Sequence, residues 1–315
     1  MGRAWFEVQS DTLFTNKYLG RFTAAAHPWA RGVGRALSVG ILALLPIAGC
    51  TTYAGVAEFE SYRQAFAGNY TTGSAILDQL AVKERSLFLR LHPPSSLEFD
   101  PDLAAYYVDI GDPPGTAAFR KSLDLIRIYN DLLYGLATGA PAAELSAKVQ
   151  TLGASLVAAE AETQSALSAI TGGAAAGSLG PLVASLGVAD GLIQVALRYR
   201  SREDFRRFVV EHHDEVVAIL RALRSGTSTI FPILTGDAVN SIEGVDTAQV
   251  DTYRKLLADW VIGIDVTINS LGAVRDAAVR RTTFSESTGG LTAFVVELEM
   301  AAASARKHLA ELGAN

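Results

Sequence analysis

The densest cluster of groups able to do chemistry is Glu211-His212-His213-Asp214-Glu215. Residues three apart share a helix face, so His212 and Glu215 together could ligate a metal. A di-iron centre in a helical bundle takes Glu and Glu-x-x-His from several helices. Here the order is His-x-x-Glu, and the other histidines beyond residue 49, His92 and His308, stand in no such motif. The competing expectation is structural, with His212 on a solvated face and His213 partly buried beside Val209, Val216 and Val217. That expectation is preferred, and no metal is assigned. A serine nucleophile lacks its Gly-x-Ser-x-Gly elbow. The glycine run Gly172-Gly173-Ala-Ala-Ala-Gly177 lacks the lysine of a phosphate loop, and no strand precedes it. Arg202, Arg206 and Arg207 are interrupted by Glu203 and Asp204, the pattern of a solvated face. No convergent catalytic set emerges, so the expectation is a non-enzymatic protein without a resident cofactor.

One cysteine, Cys50, excludes an internal disulfide framework and a cysteine-based zinc site. It follows Arg31, Arg35 and the apolar run Leu37-Ser-Val-Gly-Ile-Leu-Ala-Leu-Leu-Pro-Ile-Ala48. That run has the length of a signal-peptide core and is too short to span a bilayer. Ile47-Ala48-Gly49-Cys50 resembles the lipobox of bacterial lipoproteins: a branched apolar residue, two small residues, then cysteine. The resemblance implies that signal peptidase recognises Ile47, Ala48 and Gly49 and cuts before Cys50. Diacylglycerol and an N-acyl chain on Cys50 would then hold the protein at a membrane, each buried methylene contributing about 0.8 kcal/mol. Thr51 stands where an aspartate would resemble an inner-membrane retention signal. Its presence favours the outer membrane, facing the periplasm, if the cell is Gram-negative. A leader of 49 residues is long and contains Glu7 and Asp11. Either it is used whole, or translation starts at Val33 and gives a short basic leader.

The stretch Thr163–Ala189 has no charged residue in 27 positions. Gly173, Gly177, Gly180 and Pro181 lie within it. Small residues let helices approach closely, as in membrane packing. Two expectations follow: a buried inter-helix turn, or a membrane-active segment over 163–197. The second is similar in outline to α-helical pore-forming toxins, at the level of architecture and without a motif.

These groups need elements to position them, and composition says which. The chain has 315 residues, 50 of them Ala, 49% hydrophobic and 19% charged. Ala-rich, Pro-poor sequence favours helix and is long enough to bury a core. Net charge is −6 for the whole chain. Residues 1–49 hold five basic and two acidic side chains, so the remainder carries 22 basic and 31 acidic, a net −9. That acidity excludes a general nucleic-acid binder.

Apolar residues recur at three- and four-residue spacing almost throughout. The spacing predicts helices over 54–89, 116–136, 142–170, 179–197, 201–234, 247–282 and from about 287 to the end, the fifth continuing or following the fourth. Pro232 is expected to kink or end its helix. Arg120–Asp124 and Arg127–Asp131 are expected to pair along one helix. Residues 92–115 hold five prolines and read as a loop with one short helix or strand inside. The fold expected is all-α: an elongated antiparallel bundle of about six helices, with residues 50–315 as one domain. The function expected is that of a lipid-anchored envelope scaffold or binding module. Its partners would be a bilayer, through Cys50, and an envelope protein, with no nucleic acid. The alternative is membrane insertion by residues 163–197.

Overall fold

A computed structural model describes residues 56–91, 99, 101–169, 202–240, 244–280 and 284–313. These residues are almost all helical, and no strand occurs among them. The helices are α1 (Val56–Leu91), α2 (Ala104–Tyr107, after a 3-10 turn at Pro101–Leu103), α3 (Pro114–Thr138) and α4 (Ala142–Ala169). They continue as α5 (Arg202–Val239), α6 (Thr247–Arg280) and α7 (Phe284–Gly313). The all-α bundle predicted from the spacing is therefore what forms.

Helix α1 is the central element. It packs on α3, α5, α6 and α7. Phe59, Tyr62, Phe66, Ile76 and Leu80, one stripe at helical spacing, are all buried, and Leu87 is half-buried. Pairs along its length set the directions. Tyr62 meets Asn130 and Glu84 meets Thr116, so α3 is antiparallel to α1. Phe59 meets Phe205 and Lys83 meets Asp237, so α5 is parallel to it. Asn69 meets Thr267, and Gly73 faces Trp260, so α6 is antiparallel. His308 meets Asp259, which runs α7 back beside α6.

The bundle thus has two ends. The base holds the start of α1, the start of α5 and the end of α6. The tip holds the end of α1, the 99–113 connection, the start of α3, the end of α5 and the start of α6. From base to tip α1 covers 36 residues, about 54 Å at 1.5 Å per residue.

A turn at Gly139-Ala-Pro141 closes α3. Gly139 is left-handed (φ 74°), and its N–H reaches back to the carbonyl of Leu136. Pro232 does not end α5, which runs seven residues further, to Val239. Burial holds the helix through it: Leu223 and Ile230 before the proline, and Leu234 and Ala238 after it, all face the core. Arg120 also departs from expectation. Its guanidinium bonds Asp112 and Asp78, which a folded 99–113 connection and the antiparallel α1 bring nearer than Asp124. Asp124 instead accepts from the Tyr70 hydroxyl at 2.6 Å, while Arg127 keeps Asp131 at 3.6 Å.

Helices α5 and α6 are long and apolar enough to cross a membrane, but about half of each apolar window is buried inside the bundle (44% and 50%). Core helices meet that description equally well.

Candidate functional site

The most constrained polar group lies at the tip. Glu84 continues the buried stripe of α1, four residues after Leu80, and is 7% exposed. Its carboxylate sits on the first turn of α3. Oε1 accepts from the Gly115 N–H (3.0 Å) and the Tyr106 hydroxyl (3.2 Å). Oε2 accepts from the Thr116 N–H (2.8 Å) and the Thr116 hydroxyl (2.7 Å). Helix α3 begins after Pro113, which has no side chain to cap it, so a residue 32 positions away satisfies its free N–H groups. The positive end of the helix dipole favours a carboxylate there. Burial nevertheless pushes the Glu84 carboxyl above its ordinary range, against the pull of its four donors. Burial, then the adjacent carboxylate, pushes the Tyr106 hydroxyl up as well.

Arg85 completes the arrangement. It is 8% exposed, and its guanidinium donates to the carbonyls of Ala105 (3.0 Å) and Gly111. Phe88, one turn on from Glu84, stacks on Tyr106 at 4.0 Å. Three consecutive faces of α1 therefore clamp the 101–116 stretch at its turn, its carbonyls and its aromatic ring. The clamp turns apolar side chains outwards. Ile110 is 84% exposed, Phe99 70% and Leu91 68%, and Tyr107 and Val108 are exposed beside them. Phe99 and Tyr107 lie 6.0 Å apart. These apolar side chains stand on or beside a stretch held in place by buried polar contacts.

The cluster at 211–215 is arranged differently from expectation. His212 points into the core, 7% exposed, with its ring 4.7 Å from Phe208. His213 is the more peripheral of the two, with Nδ1 2.9 Å from the exposed Asp214 carboxylate. The reason is helical phase: 205, 208, 212, 216 and 219 make one stripe, and all are buried. His212 Nδ1 lies 3.5 Å from Glu215 Oε1. Neither ring nitrogen of His212, nor Glu215 Oε2, nor the hydroxyl of buried Tyr129 has a hydrogen-bond partner. Burial, with Tyr62 and Glu215 adding to it, pushes the Tyr129 hydroxyl well up. Among the described residues no three His, Cys, Asp or Glu side chains are placed to hold a metal. Among the described residues, recesses lie elsewhere on the surface. One of about 250 Å³ is lined by Arg63, Tyr70, Arg127 and Asn130, and another of about 580 Å³ by Arg221, Arg224 and Asn269.

Arg206 is not part of a basic patch. Both its Nε and Nη2 donate to the Ala278 carbonyl at the end of α6 (3.0 and 2.7 Å). Ile47, Ala48, Gly49 and Cys50 lie outside the described residues, as do Gly173, Gly177, Gly180 and Pro181. No protein family, no curated protein and no solved structure matches the chain.

Proposed function

We propose that this chain is a lipid-anchored binding module, or scaffold, of the bacterial cell envelope, tethered through Cys50. The observation that carries it is positional. Helix α1 starts six residues after Cys50 and runs the length of the bundle to an exposed apolar surface at its far end. A lipid on Cys50 would place the base at the membrane and present the tip away from it. The basic flank, the apolar run and the small residues before Cys50 support the anchor. The buried clamp by Glu84 and Arg85 supports a tip kept in one shape for a partner.

Incorporation of labelled palmitate, followed by membrane fractionation, tests the anchor. Wild type should carry label and sediment with membranes. Cys50→Ser should lose the label and accumulate as the longer pre-protein. A labelled Cys50→Ser protein would overturn the assignment. Dye release from liposomes separates a tethered module from a membrane-inserting one using residues 163–197, because the module leaves vesicles sealed.

A further inference from the structure

We infer that His212, Glu215 and Tyr129 form a buried site for a divalent transition-metal cation such as Zn²⁺, set between α3 and α5. The site is separate from the Cys50 anchor and from the tip. His212 and Glu215 stand three residues apart on α5, and Tyr129 comes from α3. Phe208 lies against both sides, its ring 5.7 Å from that of Tyr129 and 4.7 Å from that of His212.

What marks this place is the set of polar atoms left without a partner. His212 is 7% exposed and Tyr129 1%. Both ring nitrogens of His212, Glu215 Oε2 and the Tyr129 hydroxyl are buried and make no hydrogen bond. Buried polar groups are nearly always satisfied, and buried charges are paired or coordinate metals. Among the described residues no Lys or Arg stands within ion-pair distance of Glu215, whose one ionic contact is His212. Arg221 and Arg275 act on the neighbouring Asp214. The group that would complete the site is therefore a cation.

Geometry and donor type say which kind. His212 Nδ1 and Glu215 Oε1 are 3.5 Å apart, long for a charge-assisted hydrogen bond. Two donors that each hold one ion at about 2.0–2.2 Å and stand 3.5 Å from each other subtend about 115° at it, close to tetrahedral. Imidazole beside carboxylate suits zinc and its neighbours, whereas calcium and magnesium take oxygen ligands. Among the described residues no third His, Cys, Asp or Glu joins the pair. The third donor is the Tyr129 hydroxyl, close enough for the Glu215 charge to act on it. The Glu215 side chain is 25% exposed, so solvent reaches the pair to deliver the ion and supply a fourth ligand. Leucine would fill position 212 of the buried stripe without desolvating two nitrogens, so the histidine is explained by what it binds.

Titration of the chelator-treated full chain, carrying no histidine tag, tests this. Zn²⁺ binding is followed by calorimetry and Co²⁺ binding by visible absorption. One ion should bind per chain, and Co²⁺ should develop the strong bands of a four-coordinate site. His212→Leu and Glu215→Gln should each weaken Zn²⁺ by roughly a hundredfold or more, and Tyr129→Phe by roughly tenfold. Zn²⁺ should raise the Tm of wild type and leave that of His212→Leu unmoved. Metal-free Glu215→Gln keeps the shape of the side chain and should melt with metal-free wild type, which separates a lost ligand from a lost fold. A wild type that binds neither ion stoichiometrically overturns the inference. So does Zn²⁺ binding that survives both His212→Leu and Glu215→Gln. Binding lost instead with His213→Gln or His308→Gln also overturns it, since those rings sit on Asp214 and Asp259. Binding that Tyr129→Phe leaves unchanged overturns Tyr129 as a ligand.

Discussion

Removing the Glu84 carboxylate should unfasten the tip before it unfolds the bundle. Glu84→Ala deletes the acceptor for two backbone N–H groups and two hydroxyls. Thr116, which supplies two of those donors, is fully buried, and Tyr106 is 3% exposed. An unsatisfied buried donor costs about 1–3 kcal/mol, and a lost helix cap about 1. Water entering the vacated space recovers part of this, leaving an expected loss of about 3–5 kcal/mol. For a chain of this size that corresponds to a fall of about 10 °C in Tm. Amide exchange at Gly115 and Thr116 should quicken by roughly a hundredfold to several thousandfold, since about 1.4 kcal/mol is a factor of ten in an equilibrium. Chymotryptic cleavage after Tyr107 should quicken with it, while exchange in the middle of α6 should follow global stability only. Glu84→Gln is the finer probe, because it keeps one acceptor oxygen and removes the charge. Burial holds the carboxyl above its ordinary value of about 4.5, so the neutral form suits the folded state better than the charged one. The hydroxyls of Thr116 and Tyr106 can turn to accept its proton. Wild type should therefore gain stability relative to Glu84→Gln as pH falls through the raised value, with no further gain below the ordinary one. A loss under about 1 kcal/mol for Glu84→Ala, or a wild type that weakens on that acidification relative to Glu84→Gln, would refute the reasoning.

Three further changes have definite expected outcomes. His212→Leu removes from the core two ring nitrogens without a hydrogen bond, together with the 3.5 Å contact of Nδ1 with Glu215, and chemical denaturation should show a gain of about 1 kcal/mol; a comparable loss would mean that the Glu215 contact outweighs the buried nitrogens. Gly226→Ala should destabilise by about 1–3 kcal/mol despite alanine's better helix propensity, because a Cβ there collides with the buried Phe119 ring; Phe119→Leu in the same chain should restore most of it. Asp237 is held below the ordinary carboxyl range by Lys83 first and Arg90 second. Its contribution is present above about pH 4 and is lost as pH falls through the lower folded value. The pair is a third exposed, so Asp237→Asn should cost under about 1 kcal/mol at pH 7, and the difference from wild type should close in acid.

Much of the scaffold was legible from spacing. The apolar residues at three- and four-residue spacing in α3, α4 and α5 are the buried ones, from Phe119 and Leu123 through Leu145 and Val149 to Phe205 and Phe208. Apolar periodicity is a local signal, and a bundle simply buries it. The candidate site was not legible in the same way. Glu84 and His212 both continue an apolar stripe at i+4, and a charged or polar side chain on such a stripe was the available sign that something holds it there. Pro232 does not end its helix, because the local rule weighs the lost N–H but not the core contacts on either side of it.

By itself the sequence determined that the described chain folds as helices, which faces those helices bury, and that Cys50 follows an apolar run and two small residues. These are properties of neighbours along the chain, set by propensity, periodicity and adjacency. Tertiary structure decided the pairings between distant residues. It brought Glu84 to the N-terminus of α3, Arg120 to Asp78 and Asp112, and Arg90 to Asp237. It also decided that Phe99, Tyr107, Val108 and Ile110 of the Pro-rich connection are exposed while Tyr106 is buried. Which carboxylate caps a helix depends on how two helices cross in space, and spacing along one chain does not contain that information.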